Sequence, residues 1–550
     1  MEKMVIHLVS LLLLLHCFLV TVASITDFTT DQSALAGFKA HITVSPQSIL
    51  ASNWTTSVSV CNWIGVSCSG GRHGRRVTAL DLADMDLKGT VPPHLGNLSF
   101  LLSLNLSKNN FHGRLPKDLG RLNRLESINL TYNRLSGEIP DWFGNLSRLQ
   151  YMILSSNNFT GTLPITLSNI STLEVLDLNF NLIQGNIPYQ MAELHNLEQL
   201  RIRQNHLSGR IPPQIYNISS LRWIDLALNN LSGNLPDSVC DFLPNVERFV
   251  LASNALDGRV PSSLGKCRKL QDLELSINGF TGPIPRSIGN LTEIQLLLMS
   301  RNNLQGEIPD EIGKLRNLWY MNLGHNKFSG SIPSAIFNIS TVMGISVNDN
   351  YLIGHLPPTI GNELPSLEEL RLWGNNLEGI IPDSVSNASK LRVLDLGPND
   401  FSGPIPNTLG NLRFLEVLIL HDCNLITHDW TFLSSLTSCR HLKDLEIGNN
   451  PLHGVLPNFI GNLSATLEFF MAYDCKIRGH IPLEIGNLSN LIEFDLNGNE
   501  LIGPIPATVG RLENLQGLRL HQNMLEGTIP SDMCRLRRFQ QFQLCYTFNI

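Results

Sequence analysis

Two arginines separated by one residue, Arg201 and Arg203 in LEQLRIRQN, are the side chains whose type and spacing point most directly to chemistry. On a strand, a period of two puts both guanidinium groups on one face and turns Ile202 to the other. Two planar forks side by side can hold a carboxylate. The bland alternative is a pair of solvated arginines, balanced by Asp225 or another neighbouring acid. The same register gathers Trp223 and Asp225, Arg248, Asp272 and Glu274, Tyr320 and Asn322, and Arg371 and Trp373 as outward-facing candidates. Aromatic and arginine side chains on a strand face are the types that dominate binding at interfaces. Trp319 falls outside this register and Trp142 follows Pro140 on the opposite side, so packing is expected of both.

These are binding chemistries, and no catalytic residue is assigned. No Ser, His and Asp arrangement, paired acid or phosphate loop stands out, and the sixteen histidines show no metal-ligand spacing with Cys or carboxylates. No metal or cofactor is expected. A net charge of -7 with both signs interspersed gives no basic stripe, which argues against nucleic acid as a partner.

The candidates owe their positions to a repeat. Asn109, Asn133, Asn157, Asn181, Asn205 and Asn229 recur every 24 residues. The series continues at Asn254, Asn278, Asn302, Asn326, Asn350, Asn375, Asn399, Asn450, Asn499 and Asn523, with Met85, Cys423 and Cys475 in equivalent slots. Each unit reads as residues 101–125 do, with LxxLxLxxN, an apolar residue, Gly113, Pro116 and a further leucine pair. Leu104 and Leu106 face inward while Ser103, Asn105 and Ser107 face out, as in a short parallel strand. One unit cannot bury its own leucines, so neighbours must stack, and the repeated amide can satisfy the backbone leaving each strand. At Cys423 and Cys475 a small buried thiol takes the place of that amide with a weaker hydrogen bond.

The LxxLxLxxN units are identified as leucine-rich repeats, and the GxIP continuation at Gly137 to Pro140, Gly306 to Pro309 and Gly503 to Pro506 resembles the plant-specific subclass. TDQSALAGFKAHI (Thr30 to Ile42), Trp54 and CNWIGVSC (Cys61 to Cys68) resemble the N-terminal cap of plant receptor kinases. The resemblance implies an α/β solenoid, a right-handed leucine-rich-repeat superhelix with parallel strands on the concave face and an N-terminal helical cap. It also implies a Cys61 to Cys68 disulfide, which an oxidising secretory compartment would permit. The expected organisation is a signal peptide at 1–24, a cap at 25–76, a solenoid of about nineteen repeats at 77–538 and an incomplete repeat or divergent tail at 539–550.

Secretion is also read from the residues. Lys3, an apolar run from about Leu8 to Val22, and the small Ala23 and Ser24 have the layout of a cleaved signal. Glycosylation sequons stand at Asn53, Asn97, Asn105, Asn129, Asn145, Asn158, Asn169, Asn217, Asn230, Asn290, Asn338, Asn387, Asn462 and Asn487. Asn105 and Asn129 lie between paired strand leucines, where N-glycans would obstruct the first repeats, so binding is expected from about the fifth repeat onward. The pairing of Cys240, Cys267, Cys439, Cys534 and Cys545 stays open, a bridge from Cys240 to Cys267 included.

The segments around Cys423 to Asn450 and up to Cys475 resemble the immune-receptor subfamily of flagellin and elongation-factor sensors. That resemblance implies recognition of a peptide or protein ligand on the concave face, in innate immunity, with recruitment of a short-repeat co-receptor kinase near the C-terminal repeats. The expected place is the cell surface or apoplast, with a single-pass plasma-membrane anchor if a longer form carries one. Kinase signatures are absent, so the chain itself is not read as an enzyme. Because FQQFQLCYTFNI (539–550) breaks off inside a unit, the chain is expected to be a truncated product or fragment. The alternative is a secreted inhibitor or decoy resembling polygalacturonase-inhibiting proteins, which are shorter and capped at both ends. A steroid-receptor reading is weaker, since the interval from Cys423 to Asn450 adds only a few residues to one unit.

Overall fold

The computed structural model describes residues 29–43, 49–70, 75–427 and 429–543. The signal sequence expected at 1–24 and Cys545 lie outside the described residues. The chain divides into two compact units, Met1–Asp257 and Gly258–Ile550.

The first unit opens with helix α1 (29–40). Asp31, Ala34, Leu35 and Phe38 form its buried face, the i, i+3, i+4, i+7 spacing of an amphipathic helix. Phe38 packs on Phe111 of the repeats and on Trp54, with ring centroids 5.9 and 6.2 Å apart. Trp54 stacks on Trp63 at 4.9 Å, and the disulfide Cys61–Cys68 staples this segment. A buried ion pair locks the cap to the first repeat. Asp31 accepts two hydrogen bonds from the Arg76 guanidinium and one from the Val77 amide, each 2.9 Å long.

Val66–Cys68 then pairs antiparallel with Val77–Asp81, which starts a parallel ladder through Ser103–Asn105, Ser127–Asn129, Tyr151–Ile153 and Val175–Asp177. The ladder continues through Gln199–Arg201, Trp223–Asp225 and Arg248–Val250. Its inward residues Leu104, Ile128, Met152, Leu176, Leu200 and Ile224 are fully buried, each worth about 1.5–3 kcal/mol relative to exposure. Further parallel strands such as His206–Arg210 and Asn230–Asn234 form a second ladder. The third side of a repeat is one turn of 3-10 helix, as at Ile165–Asn169, because Pro164 ahead of it fixes an extended entry and only five residues are available.

The second unit repeats the plan. Its main ladder runs from Asp272–Glu274 through Leu296–Leu298, Tyr320–Asn322, Gly344–Ser346 and Glu369–Arg371. Val393–Asp395, Val417–Ile419, Asp444–Glu446, Phe469–Met471, Glu493–Asp495, Gly517–Arg519 and Gln541–Gln543 follow in register. In the long interval between Cys423 and Asn450 the 3-10 turn is replaced by helix α2 (Thr431–Leu436), which buries Phe432, Leu433 and Leu436. Trp430 ahead of it is buried and donates its indole N–H to the His453 carbonyl at 3.1 Å.

The recurring asparagine works as the repeat pattern predicts. The Asn205 amide donates to the carbonyls of Leu178, Ile202 and Arg203 at 3.0 to 3.3 Å, and its Oδ1 accepts the Ile183 N–H at 3.0 Å. Asn302 repeats the pattern in the second unit. In the substituted slots the Cys475 thiol reaches two carbonyls at 3.2 Å and that of Cys423 one at 3.6 Å. Burial raises both thiols, to about 12 and about 11, so neither is a thiolate.

Candidate ligand-binding face

The exposed side of each main ladder holds side chains in columns one repeat apart. In the first unit, Asp177, Arg201 and Asp225 occupy successive places in one column. Arg201 forms an ion pair with Asp177, while Arg203 approaches Asp225 at 3.9 Å and takes the Asn179 side-chain oxygen on its backbone N–H at 2.7 Å. Both guanidinium groups of the carboxylate-capture candidate thus already face acids of this chain. An incoming carboxylate would have to displace Asp177. Trp223 lies between two arginines, with the Cζ atoms of Arg201 and Arg248 each 4.7 Å from its ring centroid, a cation–π arrangement that fixes the indole. Its Nε1 is enclosed without a hydrogen-bond partner among the described residues. Asp225 is a buried carboxyl raised by that burial, against the Ala227 N–H and then Arg203 and Arg201.

In the second unit, Asp272 and Glu274 are half-buried on the strand two places before Tyr320. Tyr320 lies over Gly344, where any Cβ would come within 2.3 Å of the ring, and its hydroxyl is raised by burial and by Glu369. Asn322 turns its side-chain oxygen to the Gly324 N–H at 3.0 Å, holding its own turn. Arg371 pairs with Glu369 of the same strand at 3.4 Å. The Trp373 ring meets His325 edge-on at 5.4 Å, and His325 is fixed by Asp349 at 2.7 Å. Trp319 departs from expectation. It is 41% exposed, touching Tyr320 with ring centroids 5.8 Å apart, because the residue before a strand sits at the rim of the face. Trp142 stacks on Phe143 at 4.2 Å.

An acidic stretch of the same face was not singled out from the sequence. Asp395 is 5% exposed and is pushed up to about 7 by burial, eased by Arg371 and reinforced by Glu446 and Asp444. Asp444 is raised to about 7 by burial, then by Glu446 and Glu468. Glu446 is raised by burial despite His421, whose Nε2 lies 3.6 Å away. The column running from Arg371 through Asp395 and Ile419 to Glu446 contains the signal, since it is the one used for the other candidates.

Sequon positions divide by exposure. Asn97, Asn145, Asn169, Asn217, Asn290, Asn338, Asn387, Asn462 and Asn487 end 3-10 turns and are exposed, as are Asn158 and Asn230 on the second ladder. Asn53, Asn105 and Asn129 are half-buried. Asn105 and Asn129 stand on the strand face, accepting the N–H groups of Ser107 and Thr131. Cys423, Cys439 and Cys475 are free and buried, and Cys534 is free and exposed. Among the described residues, no group of three His, Cys, Asp or Glu could hold a metal, and no helix is long and apolar enough to cross a membrane.

Parallel strands, an asparagine ladder and a stapled cap define a leucine-rich-repeat solenoid. Residues 29–69 match the leucine rich repeat N-terminal domain. Leucine rich repeats match at 147–207, 340–401 and 365–426 and, as single repeats, at seven further places from 100–122 to 441–463. Over 77 residues the chain is 46% identical to the Arabidopsis thaliana probable LRR receptor-like serine/threonine-protein kinase At3g47570, and over 78 residues 42% identical to the LRR receptor-like serine/threonine-protein kinase EFR of the same plant. Each match covers 14% of this chain and spans only 7% of the relative's length. The structure of the Arabidopsis receptor kinase HAESA, in complex with the peptide hormone IDA and the co-receptor SERK1, superimposes with a TM-score of 0.83 at 31% identity, over 94% of this chain and 85% of that one. The chain belongs to the family of plant leucine-rich-repeat receptor kinase ectodomains.

Proposed function

We propose that this chain recognises an extracellular peptide on its strand face, as the ectodomain of a plant cell-surface receptor. The observation that supports it most is the set of fixed aromatic and charged side chains on that face, with Trp223 held between two guanidinium groups and Trp373 against His325. Prefixed aromatic anchors lose little freedom on binding. The HAESA complex, holding a peptide hormone and a co-receptor, supports the same reading, to which we add recruitment of a short-repeat co-receptor kinase near the C-terminal repeats. The finer elements are a role in innate immunity, passage through the secretory pathway to the cell surface or apoplast, and N-glycans at the exposed sequons. Glycans on Asn105 and Asn129 would keep ligand off the first repeats, leaving Arg201, Arg203, Trp223, Asp225 and Arg248 as candidate contacts on the first unit and Asp272, Glu274, Tyr320, Asn322, Arg371 and Trp373 as candidates on the second.

The test is selection of a randomised linear peptide library on the purified chain, followed by titration of the selected peptides. Trp223→Ala or Trp373→Ala should weaken binding at least ~10-fold, as loss of an anchor does. Failure to select any peptide, or full affinity in both variants, would overturn the assignment.

A further inference from the structure

Three successive strands of the second unit place carboxyl groups around an apolar floor. Asp395, Ile419 and Glu446 are partners in one column, and Val393, Val417 and Asp444 in the adjacent one. Val417 and Ile419 are half-buried between the acids. Asp395 is 95% buried, yet its Oδ1 has no hydrogen-bond partner among the described residues, and the Oδ1 of Asp444 is equally enclosed and unpartnered. Buried acceptors are normally satisfied, and leaving one empty is costly.

Neighbouring cations are turned to other acids. Arg371 pairs with Glu369, Arg392 and Lys443 both pair with Glu416, and Arg519 pairs with Glu493. His421 gives its Nδ1 side to Asp422 at 2.7 Å and leaves its Nε2 3.6 Å from Glu446, so it reaches that acid but neither Asp395 nor Asp444, and Asp422 is further held by Asn449 and Tyr473. The face is therefore short of positive charge where its least satisfied carboxyls stand.

We propose that Asp395, Asp444 and Glu446 form a subsite for one arginine or lysine side chain of an extended peptide, a proposal that rests on the peptide-recognition reading above. Strands two places apart are separated by roughly 10 Å. That gap admits a cationic head reaching carboxylates on both sides through hydrogen bonds of about 2.9 Å. Val417 and Ile419 would carry the aliphatic stem, the arrangement long cationic side chains adopt on apolar surface.

The experiment uses the whole chain, the library above and three variants: Asp395→Asn with Asp444→Asn, Glu446→Gln, and Ile419→Arg. The last places a cation of the chain's own between Asp395 and Glu446. It should fold with unchanged circular dichroism and an equal or higher melting temperature, so its result does not depend on the carboxyl variants folding. Selected peptides should share a basic residue at one position. Replacing that residue by Gln, or using either carboxyl variant, should weaken binding at least ~10-fold, as expected for a lost charge-assisted hydrogen bond. Ile419→Arg should abolish the preference. Peptides that bind without a shared basic residue, or whose affinity ignores all three variants, would overturn the subsite and leave peptide recognition standing. Failure to select any peptide would overturn both.

Discussion

Asp395 and Asp444 are carboxyl groups whose folded surroundings favour the neutral form, and that preference links them to stability. Both are raised from an ordinary 3.8 to about 7, so the folded chain holds their protons more tightly than the unfolded chain does. The contribution is full below about pH 4, declines as pH rises through 7 and is absent above that. The groups facing them are Arg371, Glu446 and Glu468. Thermal melts of wild type and the Asp395→Asn, Asp444→Asn double variant should diverge with pH, the wild type losing more stability between pH 5 and 8. Parallel curves would show that these carboxyls are not strained. The column holding Asp395 was legible, but its burial was not, because burial depends on the side chains one and two repeats away. Arg201 and Arg203 show the same limit. Their shared face followed from spacing, whereas the Arg201 partner, Asp177, lies one repeat upstream rather than at Asp225, and sequence does not distinguish the two neighbours.

For elements, the repeat asparagine is the determining residue. Asn205 satisfies three carbonyls and one N–H from two adjacent repeats, so Asn205→Ala leaves several buried backbone groups open at once. The expected loss is about 2–4 kcal/mol, read as a lower denaturant midpoint, and Asn205→Cys should recover part of it because Cys475 and Cys423 fill this slot in other repeats. A loss below about 0.5 kcal/mol would mean that water replaces the amide. Strand positions were legible because LxL alternation and the asparagine register agree. The 3-10 turns and helix α2 were less so, since five residues after Pro164, or six after Trp430, fit either helix type. The extra length between Cys423 and Asn450 identified where the pattern changes but not what replaces it.

Across the molecule, stability in a stacked array passes between neighbours, so its ends matter more than their size suggests. At the N-terminal end the cap is joined to the first strand by the pair of Asp31 and Arg76, which are 1% and 4% exposed. The cap helix and its disulfide could be anticipated from sequence, but this pair spans 45 residues with no repeat to align it. Removing one partner abandons a buried charge, at a cost of about 3–5 kcal/mol. Asp31→Ala should therefore release α1 from the leucines it covers, whereas Asp31→Leu with Arg76→Met should restore much of the stability by replacing both charges with apolar volume. Hydrogen exchange distinguishes a local cap from a global determinant. Protection in Asp31→Ala should fall first in Val77–Asp81 and Ser103–Asn105 and be near wild type at Trp223–Asp225, within the same unit. Uniform loss from Val77 to Asp225 would instead show that this unit unfolds as one cooperative block, with the cap holding every repeat equally.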